Sequence, residues 1–200
     1  MQAGESSQRE AVRAALVGAG LVGQACHLVT LTRPWSAIRL AGVVDASSSR
    51  ALTVAAAHGV PAAASLSELR VSEIDAVVIA APDPAHRPLI EESLRRGWHV
   101  FCEKPLALTA DDCDALSDAA AASGLVCRVG YMKRFDPAVD RLLEDIRDRD
   151  VTVNALAVEV RDPDASPFVR PGTLVPAGDD VDPALLAGGR VVAAAAADSV

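Results

Sequence analysis

The stretch "RAALVGAGLVG", residues 13–23, decides the fold of this 200-residue chain. It is a short apolar run followed by three glycines, Gly18, Gly20 and Gly23, in G-x-G-x-x-G spacing. The apolar run predicts a strand, and the segment 21–32 predicts a helix. In such a turn the first glycine permits a tight bend, the second lets a pyrophosphate approach the backbone, and the third lets the helix pack closely on the strand. We therefore predict that dinucleotide phosphates bind along this turn, at Gly18, Ala19, Gly20, Leu21, Val22 and Gly23.

The next predicted strand, residues 40–45, ends in a carboxylate. Asp45 follows Gly23 by about 20 residues, the distance at which an acid accepts hydrogen bonds from the ribose hydroxyls of an adenosine. Because that carboxylate would repel a 2′-phosphate, the spacing favours NAD as the cofactor. Arg50 and the run Ser47–Ser49 leave NADP open as an alternative, and a helix N-cap with a solvated first turn explains them equally well.

Strand-like and helix-like segments alternate along the chain as far as residue 149. The strand-like runs lack polar alternation, which is typical of parallel strands covered on both faces. Repeated strand–helix units predict an α/β fold, a doubly wound parallel sheet of the Rossmann type. We assign this domain to residues 11–135 and the start of an incomplete second α+β domain, with a long strand at 151–161, to residues 136–200. The predicted strands of the sheet span 13–19, 40–45, 75–82, 99–103 and 125–131, and the predicted helices span 21–32, 48–58, 85–96, 109–123 and 137–149.

Composition excludes several classes of partner. The formal net charge of −8 argues against nucleic acid, and an aromatic content of 3% argues against a base-stacking surface. Residues 14–31 are nearly apolar, but Gln24 and His27 interrupt them and the glycine turn explains them better than a membrane span. We therefore expect a cytoplasmic protein with no membrane partner. The four cysteines form no CxxC pair, so we predict no metal site and expect small buried thiols in a reducing compartment, at Cys26, Cys102, Cys113 and Cys127.

The stretch "HVFCEKPLAL", residues 99–108, carries the second chemical signal. In the predicted topology its strand ends at the carboxyl edge of the sheet, where the nicotinamide end of a dinucleotide lies. Pro105 restricts Lys104 to extended geometry and favours a turn. A cis Lys104–Pro105 bond is one way to build that turn. A lysine at this place is suited to move the hydroxyl proton of an alcohol. The alternative is a surface lysine in a turn.

Several segments together resemble one family. The glycine turn, the strand ending in Asp45, "AAPDPAH", "HVFCEKPLAL" and "VGYMKRFDPAV" occur in the order and spacing of the Gfo/Idh/MocA (glucose–fructose oxidoreductase/inositol dehydrogenase) family, from about residue 12 to residue 160. The resemblance implies an NAD(P)-dependent oxidoreductase that acts on a sugar, an inositol or a related polyol. It also implies roles for individual residues: Lys104 as the catalytic lysine and a cofactor contact, Glu103 at the nicotinamide ribose, Ala81, Pro82 and His86 along the cofactor, and Tyr131 and Arg134 near the substrate.

The chain also departs from the family's pattern. The resemblance implies a substrate domain that places an acid and a histidine opposite Lys104, yet none of the four histidines lies beyond His99. Roughly 50 residues after position 150 are too few to build such a domain. We therefore expect a fragment, a truncated gene product or a degenerate homologue.

Two functions remain open from the sequence. One is hydride transfer between NAD and a secondary alcohol, with a small-molecule polyol or sugar as partner. The other is a dinucleotide-binding or regulatory protein without turnover, which the missing histidine motif favours. An unfinished sheet edge at the C-terminal side further suggests the hypothesis of a homo-oligomer.

Overall fold

Six parallel strands form one sheet in the order β3-β2-β1-β4-β5-β6. The structure is a computed structural model, and it describes residues 11–34, 37–148, 154, 155, 157, 159 and 174–181. The strand order reverses direction between β1 and β4, which is the switch point of a doubly wound fold, so the predicted Rossmann topology is confirmed. The strands are β1 (Val12–Val17), β2 (Ile38–Val44), β3 (Ala62–Ala63), β4 (Ala76–Ile79), β5 (His99–Cys102) and β6 (Cys127–Val129).

Helices connect the strands and cover the sheet. The first, α1, consists of a π-helical segment (Gly23–Leu28) continued by an α-helical turn (Val29–Leu31). The others are α2 (Ser48–His58), α3 (His86–Arg95), α4 (Ala110–Ser123) and α5 (Pro137–Asp148). Short 3₁₀ turns lie at Leu66–Glu68, Val71–Glu73, Asp83–Ala85 and Met132–Phe135.

Both faces of the sheet are buried at its centre, as the absence of polar alternation predicted, whereas β5 buries Val100 and Cys102 on one face and exposes His99 and Phe101 on the other. Along β1, Leu16 packs into a cluster with Val54 of α2, whereas Val17 packs on the opposite face into a cluster with Ile90 of α3 and Leu116 of α4. Successive side chains of a strand point to opposite faces, so an uninterrupted apolar run supplies two cores at once.

Capping residues set the ends of the helices. The Ser47 hydroxyl accepts a hydrogen bond from Arg50 N at the start of α2, and the Thr109 hydroxyl accepts one from Asp112 N at the start of α4. Gly124 ends α4 in the left-handed conformation at φ 66°. The N-cap interpretation of the run Ser47–Ser49 is therefore confirmed, and Thr109, the first residue of the predicted helix 109–123, is the N-cap of α4.

Several elements differ from the sequence prediction. The first strand ends at Val17 instead of residue 19, because Gly18 turns the chain at φ 91°. The two-residue strand β3 was not predicted, since two alanines carry no β-branched or aromatic signal. The predicted helix over 21–32 is present, but it is wound as a π-helix through Gly23–Leu28. The strand predicted over 151–161 lies almost entirely outside the described residues.

The cysteines are not uniformly buried. Cys102 of β5 is buried, and desolvation raises the pKa of its thiol to about 12. Cys26 in α1 is exposed, contrary to the prediction, because it lies on the outer side of that helix. In the part of the chain that the structure describes, no helix is long and apolar enough to cross a membrane.

An ion pair joins the beginnings of β1 and β4. The Arg13 guanidinium donates to Asp75 through Nε at 2.9 Å, and the Arg13 backbone N–H donates to the same carboxylate oxygen at 2.8 Å. These hydrogen bonds from Arg13, the side-chain one above all, lower the pKa of Asp75 from 3.8 to about 2.

We predict that this pair adds acid-sensitive stability. A carboxyl whose pKa is depressed in the folded state stabilises the fold above its unfolded pKa, and this contribution is lost as pH falls from about 4 to about 2. Because the Asp75 side chain is 38% exposed, solvent screening reduces the contribution to about 1 kcal/mol or less. Chemical unfolding across this pH range should therefore show a smaller acid loss for Asp75→Asn than for the wild type.

Asp114→Asn, at an exposed position of α4, is the matched control, since it removes the same kind of carboxyl. Equal acid losses in the wild type and Asp75→Asn would contradict a stabilising role for the Arg13–Asp75 pair.

Candidate functional site

A cavity of about 730 Å³ opens at the carboxyl ends of β1, β2 and β4. Ligands of open α/β sheets bind at this switch point, and the volume is in the usual range for a small-molecule site. The walls include Gly18, Gly20, Leu21, Val22, Asp45, Arg50, Ala80, Ala81 and Pro82.

The glycine turn has the geometry that the spacing predicted. A Cβ on Gly18 would lie 2.6 Å from the carbonyl carbon of Ala80, and a Cβ on Gly23 would collide with the carbonyl oxygen of Gly18. These two glycines are therefore required by the contact between the turn, α1 and β4. A Cβ on Gly20, in contrast, would meet no atom within 4 Å, and Gly20 lines the cavity. Open space at the middle glycine fits the close approach of a pyrophosphate.

Asp45 is buried, 4% exposed, and ties the turn to the second strand. Its carboxylate accepts hydrogen bonds from Ala19 N at 2.7 Å and from Ser47 N at 2.8 Å. Arg50 adds an ion pair, with Nη2 at 2.9 Å and Nε at 3.1 Å. Arg50 therefore does not point into solvent from the first turn of α2, which was one of its two sequence interpretations, but covers the acid.

His86 is fully buried behind the cavity wall. Its Nδ1 lies 2.7 Å from the carbonyl oxygen of Pro105, and its Nε2 lies 2.9 Å from the carbonyl oxygen of Ala81. His86 is therefore neither exposed to solvent nor part of the described lining of the cavity, although the resemblance placed it along the cofactor. His86 links the loop that forms the cavity wall to the turn that follows Lys104.

Glu103 has a partner that sequence reasoning missed. His27 Nε2 of α1 lies 2.7 Å from Glu103 Oε1, and the two side chains are 17% and 16% exposed. The His27 ring also meets Phe101 edge-on, with 5.6 Å between the ring centroids. No local pattern signals this contact, because 76 residues separate the two partners.

The remaining predicted residues lie outside the described lining of the cavity. Lys104 is exposed at the carboxyl end of β5, and the Lys104–Pro105 peptide bond is cis. Tyr131 and Arg134 are exposed in and beside the 3₁₀ turn after β6. The structure thus brings Asp45, Ala81, Pro82 and four residues of the glycine turn into one cavity, the four being Gly18, Gly20, Leu21 and Val22. The other predicted residues lie outside its described lining, namely Ala19, Gly23, His86, Glu103, Lys104, Tyr131 and Arg134.

Comparisons with known proteins agree with this geometry. Residues 12–131 match the family model GFO_IDH_MocA, described as "Oxidoreductase family, NAD-binding Rossmann fold". Inositol 2-dehydrogenase 1 of Saccharopolyspora erythraea is 40% identical over 131 residues, which cover 64% of this chain and 39% of that protein. The chain therefore spans about two fifths of the length of this curated relative.

Two solved structures share the fold. Myo-inositol 2-dehydrogenase from Lactobacillus plantarum has a TM-score of 0.61 at 24% identity, covering 70% of this chain and 42% of that chain. A 3-ketoreductase from Actinomadura kijaniata, in complex with NADP and TDP-benzene, has a TM-score of 0.61 at 24% identity and covers 70% of this chain and 42% of that chain.

We predict that two glycines of the turn separate folding from binding. Gly23→Ala should lower the free energy of unfolding by about 2 kcal/mol or more, because its Cβ would overlap backbone that cannot move aside. Gly20→Ala should leave stability within about 0.5 kcal/mol and weaken NADH binding about tenfold or more, because the methyl group would occupy the phosphate approach. Thermal unfolding and NADH fluorescence titration measure the two effects. Wild-type affinity in Gly20→Ala would show that the phosphates do not approach there.

Proposed function

We propose a function for this chain, which belongs to the Gfo/Idh/MocA family of oxidoreductases with an NAD-binding Rossmann fold. The protein is a dehydrogenase that transfers hydride between NAD and a secondary alcohol of an inositol, a sugar or a related polyol. The observation that carries this proposal is the position of Lys104, at the carboxyl end of β5 and joined through Pro105 and His86 to the wall of the cavity.

The residues divide into a binding group and a reacting group. Four residues of the glycine turn line the cavity together with Asp45, Ala81 and Pro82, and this group would hold the dinucleotide; the four are Gly18, Gly20, Leu21 and Val22. When bound, NAD supplies the ring that accepts a hydride from the alcohol carbon. Lys104 takes the proton of the hydroxyl on that carbon. His27 fixes the Glu103 side chain beside it, which keeps a carboxylate available to a ribose hydroxyl at the same edge of the sheet.

Two observations support a polyol as substrate. The inositol 2-dehydrogenase named above is 40% identical over the Rossmann region. In this chain, Tyr131 and Arg134 follow β6, the strand that pairs with β5, and both are exposed at the edge where Lys104 lies. A phenol and a guanidinium offer several donors to a ligand with many hydroxyl groups. We assign residues 11–135 to the dinucleotide-binding domain and residues 136–200 to the start of the substrate domain.

A second candidate is a dinucleotide-binding protein without turnover. The observation that favours it is that the described lining of the cavity contains residues of the predicted dinucleotide site, whereas Lys104, Tyr131 and Arg134 lie outside it. The two candidates share the cofactor site and differ only in the reaction.

The test is a turnover assay after binding has been measured. Purified chain that binds NADH should reduce NAD when supplied with myo-inositol or with one of a panel of sugars and polyols, and NADH fluorescence would report the reaction. Binding without turnover of any member of the panel would overturn the dehydrogenase and favour the second candidate.

We predict that Lys104 affects turnover and not affinity. Lys104→Met and Lys104→Arg should lower turnover by roughly 10²- to 10⁴-fold, the usual contribution of a proton-transfer group. Both variants should keep NADH affinity within about twofold, because Lys104 lies outside the described lining of the cavity. The arginine variant retains the positive charge, so a loss in both variants assigns the effect to proton transfer. Arg95→Gln, which removes an exposed cation of α3, is the control, and undiminished turnover in Lys104→Met would contradict the assignment.

A further inference from the structure

A segment distant in sequence closes over the adenosine end of the cavity. Residues 174–181 lie against α1 and the start of α2, and Val181 forms part of the cavity wall. The buried amide of Gln24 holds this segment: its Nε2 donates to the carbonyl oxygen of Val175 at 2.9 Å, and its Oε1 accepts from Val175 N at 2.9 Å. The same Nε2 donates to the carbonyl oxygen of Ala19 in the glycine turn at 2.7 Å.

Asp180 of this segment occupies a seat for an anion at the start of α2. Its carboxylate accepts hydrogen bonds from the Ser47 hydroxyl at 2.7 Å, from Ser49 N at 2.9 Å and from the Ser49 hydroxyl at 3.2 Å. These bonds, that from the Ser49 backbone first, hold the pKa of Asp180 below its usual value. The donors and the helix start are those that would suit a phosphate monoester.

The seat occupied by Asp180 lies directly beside Asp45, and this position indicates its function. Ser47 donates its backbone N–H to Asp45 at 2.8 Å and its hydroxyl to Asp180 at 2.7 Å, so one residue joins the two carboxylates. Asp45 is the acid that contacts the adenosine ribose in this fold. A phosphate on the 2′-hydroxyl would therefore have to use the donors beside Asp45, which are Ser47, Ser49 and Arg50.

We propose that Asp180 fills the seat of a 2′-phosphate and thereby makes the domain select NAD over NADP. The 2′-hydroxyl of NAD is neutral and needs only Asp45, so Asp180 stays in place when NAD binds. The 2′-phosphate of NADP would face two carboxylates and would have to displace one of them. This inference rests on the dinucleotide binding assumed in the proposed function.

Because Gly178 has no side chain, the Asp180 carboxylate fits against Ser47 and Ser49. The Gly178 N–H donates to the Ser47 hydroxyl at 3.1 Å. A Cβ at this position would collide with the Ser49 hydroxyl and would lie 2.8 Å from Asp180 Oδ1. A side chain at residue 178 would therefore force the Ser49 hydroxyl or the Asp180 carboxylate to move.

If Asp180 only stabilised the start of α2, its substitution would have a different effect on cofactor affinity. Ser47 already caps α2 through Arg50 N, so Asp180 is a second acceptor at the same helix start. If it acted only as a cap, its loss would lower stability and leave the ratio of NADPH to NADH affinity unchanged.

The test is the ratio of the two dissociation constants, from fluorescence titrations of the full chain with NADH and NADPH. Asp180→Asn should raise NADPH affinity relative to NADH by about tenfold, with NADH affinity within about twofold of the wild type. Gly178→Ala should shift the ratio in the same direction, because the added methyl group disturbs the contact between Asp180 and Ser49 without removing the carboxylate. Asp179→Asn removes the same charge one residue earlier and should leave the ratio unchanged.

The outcomes separate this inference from the proposed function. An unchanged ratio in Asp180→Asn, or an equal shift in Asp179→Asn, would overturn the role of Asp180 alone. Binding of NADH without turnover of any polyol would overturn the dehydrogenase, and the ratio would still decide the role of Asp180. Failure of the wild type to bind either dinucleotide would overturn both.

Discussion

The buried carboxylate of Asp45 is the interaction on which the rest of the site depends. An ionised carboxylate has about four acceptor positions, and here Ala19 N, Ser47 N and the two nitrogens of Arg50 use them. The acid therefore joins the glycine turn, the end of β2 and the start of α2 before any ligand is present. In the proposed cofactor site, a ribose hydroxyl would have to take the place of one of these donors, and Arg50 is the one that lines the cavity.

Local sequence patterns were sufficient to predict most of the fold and the part of the candidate site that lines the cavity. The apolar runs of β1 and β4 have to be covered on both faces. The helix Ser48–His58 was predicted with its observed bounds, where Ser47 is the N-cap and Gly59 the left-handed C-cap. The glycine turn and Asp45 were found because their spacing follows from one strand–helix–strand unit. The strand β3 has no such pattern in its two alanines. The contacts of Glu103 with His27 and of Asp180 with Ser47 join residues far apart in the chain, and no periodicity or spacing encodes them.

The two halves of the site meet at one imidazole. His86 lies between the carbonyl oxygen of Ala81, in the cavity wall, and that of Pro105, next to Lys104. A fully buried ring between these two oxygens brings the two loops together, and its neutral form donates a hydrogen bond to only one of them. Lys104 itself lies outside the described lining of the cavity.

The position of Asp180 late in the chain also has a consequence for the order in which the protein is made. Domains form from the N-terminal side during synthesis, and the strands, glycine turn and helices up to residue 148 precede the segment 174–181. Until that segment leaves the ribosome, the Ser47 and Ser49 donors have no carboxylate from it. The selectivity proposed for Asp180 would thus be acquired after the fold that carries the cavity.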